Sequence, residues 1–137
     1  MKSYTLKATA DSGTLELGDA PVPEPGPQQL LVRMRAAALN RGEFIIGHGL
    51  TKAGTVKPIG MEGAGEIVKA GAGVTGFAAG ERVMGRCAAA FSEFAVMDER
   101  EAIAIPAGLS FEQAAAVPLT FLVAQDILFA QGRLAAG

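Results

Sequence analysis

Residues 58–85, with the sequence PIGMEGAGEIVKAGAGVTGFAAGERVMG, give the clearest indication of how this chain folds. Glycine recurs from Gly63 onward, and between the glycines lie short β-prone runs at 66–69, 82–84 and 91–97. Because glycine has no Cβ, it lets the backbone turn sharply at the end of a strand. Closely spaced short strands with glycine corners predict a mainly β domain, built as a small, partly open barrel.

The amino-terminal third extends this β pattern. Residues 4–9 and 14–17 predict a hairpin, because the composition at 11–13 favours chain reversal. Four prolines at alternate positions between 21 and 27 then predict an extended connector. Residues 29–39 alternate apolar and polar side chains, which predicts a long strand with one buried face.

Three helices are expected. Asn40 can cap a short helix from 41 to about 47, with Glu43 reaching back as in a capping box and Gly47 and Gly49 ending it. Ser110 caps a second helix over 111–117, with Gln113 at the capping-box position and Pro118 ending it.

The last helix, at about 119–131, is apolar on nearly every side. Such a helix must be buried on more than one side. The barrel offers one surface for packing, so we expect the opposite side to contact another domain or chain. A further strand is expected at 102–105.

Length and composition exclude several classes of protein. The 137 residues suit a single domain, and the net charge of −2 with interspersed acids and bases predicts no nucleic-acid surface. No apolar run reaches the roughly 18 to 20 residues that cross a bilayer, so no membrane partner is expected. The amino terminus does not resemble a secretory signal, and the single cysteine, Cys87, suits a reducing compartment. We expect a cytoplasmic protein.

Two familiar kinds of site are not supported by the residues. One cysteine and one histidine, His48, cannot supply the three or four ligands that zinc requires, so no metal is expected. Residues 71–76 formally match the GxGxxG pattern of dinucleotide sites, but no helix pattern opens at these glycines. We interpret them as a barrel turn. Cys87 is interpreted as a small buried residue, because no histidine nearby in sequence suggests an activating base.

A set of short fragments, in a specific order and spacing, carries a family resemblance across the whole chain. The fragments are Ala38-Leu39-Asn40, Gly49-Leu50, Pro58, Gly60, Glu62-Gly63-Ala64-Gly65, Gly71, Gly73-Val74, Phe77, Gly80, Arg82-Val83, Pro106-Ala107-Gly108-Leu109-Ser110, Ala114-Ala115-Ala116 and Pro118-Leu119. In this respect the chain resembles the amino-terminal, GroES-like catalytic domain of the medium-chain dehydrogenase/reductase superfamily. The similarity is to the quinone oxidoreductase-like branch. Zinc-dependent members carry Gly-His-Glu where this chain has Gly60-Met61-Glu62, and a thioether is a poor zinc ligand.

The resemblance implies that residues 1–137 are the substrate-side domain of an NADPH-dependent, zinc-independent reductase of quinones, enones or similar carbonyl compounds. The Rossmann cofactor domain of such an enzyme would lie beyond this chain and pack on 119–131. The chain alone is then expected to be inactive, and NADPH would be bound mainly by that second domain.

The resemblance also implies a set of site residues. The substrate and nicotinamide pocket would be lined by Asn40, Glu43, Ile45, Met61 and Glu62. Asn40 and Val123 would contact the cofactor; the amide of Asn40 could donate to a ligand oxygen, cap its helix, or do both. For Glu62 we favour a structural ion pair with an arginine over direct catalysis.

Quinone reductases of this kind often have tyrosine, arginine and tyrosine at the positions of Ile45, Gly47 and Thr51. They often have threonine at the position of Val123. The pocket should therefore be more apolar than theirs. A non-enzymatic GroES-like binding or assembly module is the alternative, since folds do not fix function. Against it stands the apolar helix at 119–131, which the co-chaperonin lacks.

Overall fold

A computed structural model of the protein describes residues 1–45 and 51–135. Within these residues, eight strands and three α-helices are joined by loops, a 3₁₀ turn at Glu99–Glu101 and a final π-helical segment at Asp126–Gln131. In chain order the strands are β1 (Lys2–Ala8), β2 (Gly13–Asp19), β3 (Gln29–Ala37), β4 (Val56–Pro58), β5 (Glu62–Ala70), β6 (Arg82–Arg86), β7 (Phe94–Asp98) and β8 (Ala102–Ala104). The helices are α1 (Arg41–Phe44), α2 (Phe111–Ala115) and α3 (Pro118–Gln125).

The strands form two antiparallel sheets. One has the order β2-β1-β4, and the other has the order β7-β3-β5-β6-β8. A backbone hydrogen bond of 2.9 Å from Tyr4 to Phe91 ties the first sheet to the segment that precedes β7. Together the sheets form the partly open, curled barrel that the sequence predicts.

The barrel core is a cluster of side chains that are at most 1% exposed: Leu30, Val32, Ile67, Val83 and Met97. A second cluster, which includes Ala64, Met84 and Ala114, lies where α2 packs on β5. The alternation expected along β3 holds only in part, because Leu31 is also buried. A register shift between Leu31 and Val32 interrupts the strict period of two.

The glycines of residues 58–85 do not all lie at the ends of strands. β5 starts at Glu62, four residues before the predicted strand, and it runs through Gly63 and Gly65. A Cβ at Gly63 would lie 2.6 Å from the carbonyl oxygen of Ala36 on the neighbouring strand. These glycines therefore allow β3 and β5 to approach closely within the sheet. The three-residue strand β4 was not predicted.

The predicted capping box of α2 is confirmed. Ser110 Oγ accepts from the backbone N–H of Gln113 at 3.2 Å, and Gln113 Oε1 accepts from the Ser110 N–H at 3.0 Å. The helix ends at Ala115, and Pro118 occupies the first turn of α3, where its missing N–H costs nothing. Helix α1 ends at Phe44, and the predicted stops at Gly47 and Gly49 lie outside the described residues.

We call residues 118–131, which comprise α3 and the π-helical segment, the apolar helix. Its contact with the barrel is confined to its start: Pro118 is buried and Leu119 half-buried, but every residue from Thr120 to Ala135 is exposed. The expectation that one side of this helix packs along the barrel is therefore wrong beyond its first turn. Among the described residues, no helix combines the length and the apolarity that crossing a bilayer requires.

Candidate functional site

A direct hydrogen bond joins two of the predicted site residues. Asn40 precedes α1, and Glu62 is the first residue of β5. The side-chain amide of Asn40 donates from Nδ2 to Glu62 Oε1 at 2.9 Å. Because this amide is turned toward Glu62, it does not cap α1, which has no side-chain cap. The capping role expected of Asn40 is therefore wrong.

The second oxygen of Glu62 holds the start of the apolar helix. Glu62 Oε2 accepts from the backbone N–H of Leu119 at 2.6 Å, and Val117, at the N-cap position, offers no side-chain cap. A carboxylate at a helix amino terminus satisfies an unpaired N–H and is favoured by the helix dipole. Glu62 thus replaces a local cap although it comes from a distant strand.

The partners of Glu62 correct the ion pair expected for it. The side chain is only 1% exposed, yet in residues 1–45 and 51–135 both of its hydrogen bonds come from neutral N–H groups. Arg86, its register partner on β6, lies 3.6 Å from Glu101 instead. Neutral donors satisfy the buried carboxylate without the cost of desolvating a cation.

Glu43 is a second buried carboxyl group, with 3% of its surface exposed. Its Oε1 accepts from the Gly60 N–H at 3.0 Å, whereas Oε2 has no partner among the described residues. Burial raises the pKa of Glu43, and the N–H groups of Gly60 and Asn40 and the charge of Lys57 oppose that rise only in part. The protonated form is therefore favoured relative to an exposed glutamate. The capping box predicted for Asn40 and Glu43 is incomplete, because the Asn40 side chain does not cap the helix, and Glu43 Oε1 bonds the Gly60 N–H.

Cys87 lies near the carboxyl groups of Glu43 and Glu62. The sequence did not indicate this proximity. The Cys87 N–H donates to the Met61 carbonyl at 3.0 Å, one step beyond the register pair Glu62–Arg86. Burial first, then the nearby charges of Glu62 and Glu43, raise the pKa of the Cys87 thiol to about 12. The thiol is thus an inert, half-buried neighbour rather than a nucleophile. Correct pairing of β5 with β6 from their apolar patterns could have revealed this proximity.

Four of the predicted site residues are divided between two pockets. A pocket of about 490 Å³ is lined by Glu43, Met61 and Cys87, and one of about 360 Å³ is lined by Asn40 and Glu62, with Thr120 of the apolar helix. Met61 and Glu62 are successive in sequence but line different pockets.

The other two predicted site residues line neither pocket. Ile45 is half-buried after α1, and Val123 is 51% exposed, one helical turn beyond Leu119. A separate, more open groove of about 640 Å³ is lined by apolar side chains such as Tyr4, Leu17 and Phe91. It contains none of the predicted site residues.

Residues 71–76, the GxGxxG match, form turns with no helix. The backbone N–H groups of Thr75 and Gly76 both donate to Glu99 Oε1, at 2.9 and 2.6 Å. A carboxylate of the protein therefore occupies the N–H groups that a phosphate would need. This geometry agrees with a barrel turn.

Metal coordination has no support in the described residues. They contain no group of three or more histidine, cysteine, aspartate or glutamate side chains placed to hold an ion. Met61 offers a thioether, and the raised pKa of Cys87 disfavours the thiolate that zinc binds. His48 lies outside the described residues.

Comparison with known proteins adds a family match. The model of the alcohol dehydrogenase GroES-like domain matches residues 26–125. A quinone oxidoreductase of Pseudomonas aeruginosa is 40% identical over 130 residues, which cover 93% of this chain and 40% of that protein. A pikromycin polyketide synthase component, PikAII of Streptomyces venezuelae, is 39% identical over 117 residues, which cover 83% of this chain and 3% of that protein. The chain therefore spans less than half the length of these relatives.

Solved structures agree with the sequence relatives. A quinone oxidoreductase of Pseudomonas syringae superposes with a TM-score of 0.83 at 31% identity, over 100% of this chain and 43% of that one. A mycobacterial protein solved in complex with NADPH superposes with a TM-score of 0.85 at 25% identity, over 100% of this chain and 43% of that one.

Proposed function

Since this chain belongs to the alcohol dehydrogenase GroES-like domain family, we propose that it forms the substrate-side domain of an NADPH-dependent oxidoreductase that works without a metal. Its substrate class is a small quinone, enone or similar conjugated carbonyl compound. The observation that supports this most directly is the pair Asn40–Glu62, a polar centre at the base of an exposed apolar helix. Such a centre suits a cleft that a second domain completes.

The second domain, in this proposal, is a nucleotide-binding domain that covers residues 119–131. Six large apolar side chains of that segment are 44–63% exposed, an unusual surface for a helix that ends in water. Covering them would exclude water from the adjoining pocket lined by Asn40, Glu62 and Thr120. Exclusion of water strengthens hydrogen bonds to a bound ligand.

The residues present are compatible with a nicotinamide ring. Asn40 would contact it with its free amide atoms, and Val123, one turn along the apolar helix, would contact it through its methyl groups. NADPH, when bound, supplies the hydride for the reduction. The chain's own residues bind and orient the acceptor and keep water away from it.

Glu43 and Met61 would form the acceptor side of the cleft, because they line the pocket of about 490 Å³. Burial raises the pKa of Glu43, so its carboxyl group holds a proton more readily than an exposed glutamate. A protonated carboxyl group can donate a hydrogen bond to an oxygen that gains negative charge. Zinc has no part in this proposal, since the donor set around Met61 and Cys87 does not suit it.

Two assays test the proposal. The 137-residue chain alone should show no loss of NADPH absorbance with 1,4-benzoquinone or an enone. A hybrid in which this chain replaces the matching 130 residues of the Pseudomonas aeruginosa relative should show turnover that survives chelators. Its Asn40→Ala variant should bind NADPH more weakly while remaining folded by circular dichroism. Turnover by the chain alone, or a folded hybrid without turnover on any such acceptor, would contradict the proposal.

A further inference from the structure

The amide of Asn40 has two chemically different ends. Nδ2 carries two hydrogen-bond donors, and Oδ1 is an acceptor. Whichever end faces the pocket decides whether the ligand group recognised there is an acceptor or a donor. The orientation of this amide is therefore a specificity determinant.

Glu62 constrains that orientation. A carboxylate can only accept hydrogen bonds, so the atom of Asn40 that lies 2.9 Å from Glu62 Oε1 must be Nδ2. The Glu62 carboxylate is itself fixed, because it is 1% exposed and its other oxygen accepts from the Leu119 N–H at 2.6 Å. Turning the carboxylate away from Asn40 would break its bond to the apolar helix.

The acceptor end of the amide lies away from Glu62. Oδ1 and Nδ2 are the two ends of one planar group, so Nδ2 toward Glu62 leaves Oδ1 at the other end. Oδ1 accepts no hydrogen bond from residues 1–45 or 51–135. Asn40 lines the 360 Å³ pocket, so Oδ1 is available to a ligand there.

We propose that Glu62 is a positioning residue that holds the Asn40 amide with Oδ1 toward the pocket, so that this position recognises a hydrogen-bond donor of the ligand, an N–H or O–H group. From the sequence we expected Asn40 to donate a hydrogen bond to a ligand oxygen. In this proposal the atom that faces the pocket is Oδ1, which accepts a hydrogen bond from the ligand instead. The orientation of the amide stands on the geometry alone, and the identity of the ligand rests on the proposed function.

The orientation can be measured in the 137-residue chain without any ligand. The Nδ2 protons of Asn40 and the Leu119 N–H donate to the two oxygens of one carboxylate, so they lie close together. A nuclear Overhauser effect between them is expected in the ¹⁵N-labelled chain. If Oδ1 faced Glu62 instead, the Nδ2 protons would lie on the far side of the amide and the effect would be missing, which would overturn the proposal.

Glu62→Gln reverses the constraint with little change in shape. The glutamine Oε1 can still accept from Leu119, while its Nε2 now donates, and Asn40 can receive that bond only by turning Oδ1 inward. We expect the Overhauser effect to Leu119 to disappear, with the Leu119 amide resonance still that of a folded helix. Persistence of the effect in folded E62Q would overturn the proposal.

Glu99→Gln is the matched control, because the Glu99 carboxylate also accepts two N–H bonds but lies at the turn formed by Thr75 and Gly76. It should leave the Asn40 resonances unchanged. In the hybrid protein, E62Q should weaken NADPH binding about tenfold, the effect of one reversed hydrogen bond, and E99Q should not. NADPH affinity unchanged in E62Q, despite a reversed amide, would refute recognition of a donor. A wild-type hybrid that binds no NADPH would refute the proposed function and leave the orientation of Asn40 intact.

Discussion

Replacing Phe121, Ile127 and Phe129 together by serine tests whether the apolar helix is stabilised by its own barrel. These residues are 63, 57 and 56% exposed, so more than half of the surface of each already lies in water. Serine and phenylalanine have similar helix propensities, so the backbone preference changes little. We expect the free energy of unfolding to change by about 0.5 kcal/mol per site or less, as for other surface positions.

The same substitutions should have a large effect on association. Complete burial stabilises an apolar side chain of this size by about 1.5–3 kcal/mol. About half of that remains available on each of six helix residues, roughly 1 kcal/mol apiece, or about 6 kcal/mol before the entropic cost of association. The six are Phe121, Leu122, Val123, Ile127, Leu128 and Phe129. The wild-type chain should therefore self-associate at high concentration, and the triple variant should remain monomeric.

Urea unfolding and sedimentation equilibrium measure the two effects. Leu30→Ala is the control, because Leu30 is fully buried and its truncation should cost about 2–5 kcal/mol. A loss of several kcal/mol in the triple variant, close to that of the control, would refute the reasoning. It would mean that the helix packs on the barrel and needs no further domain.

Three further predictions concern the site and its surroundings. Burial raises the pKa of Glu43 in the folded state above its ordinary value of 4.5. The stabilisation gained by protonating Glu43 is therefore complete below pH 4.5 and is lost as the pH rises through the pKa of the folded state. Thermal melts at a series of pH values from 4.5 upward should show a smaller decline in Glu43→Gln than in wild type, and equal declines would contradict the raised pKa. Cys87, whose pKa burial raises from 9.0 to about 12, should react with Ellman's reagent about a thousandfold more slowly in the folded chain than in urea; comparable rates would show that the thiol keeps its ordinary pKa. Gly60→Ala should destabilise the chain by about 3 kcal/mol or more, because φ is +105° and a Cβ would lie 2.6 Å from the Phe91 nitrogen. Gly108→Ala, whose Cβ meets nothing within 4 Å, should change little in the same urea titration.

Much of the fold could be predicted because its determinants are local. The Ser110–Gln113 capping box and the apolar residues of β3 depend on neighbours a few positions apart. β4 was missed because three residues with no clear alternation become a strand only by pairing with β1. Gly63 and Gly65 were interpreted as corners because sequence alone does not show that another strand passes close to their α-carbons.

The site was predicted less well, because its bonds join distant parts of the chain. Asn40 and Glu62 were both identified, but the cap and the ion pair assigned to them were wrong. Their actual partners are each other and Leu119, which are separated by 22 and 57 residues. Local rules favour the nearest available partner, whereas burial at the junction of β5 and the apolar helix determines the actual one. The roles of Ile45 and Val123 at a ligand stay predictions.

The pairing of β1 on both edges has a consequence for synthesis on the ribosome. β1 and β2 can form a hairpin as soon as about twenty residues have emerged, but the other edge of β1 must wait for Val56–Pro58 and Phe91. Until then, a nascent chain presents unpaired N–H and C=O groups along that strand, which is the kind of edge that recruits other chains. Because slower translation would lengthen this exposure, a chaperone that shields extended segments during synthesis should raise the yield of folded protein.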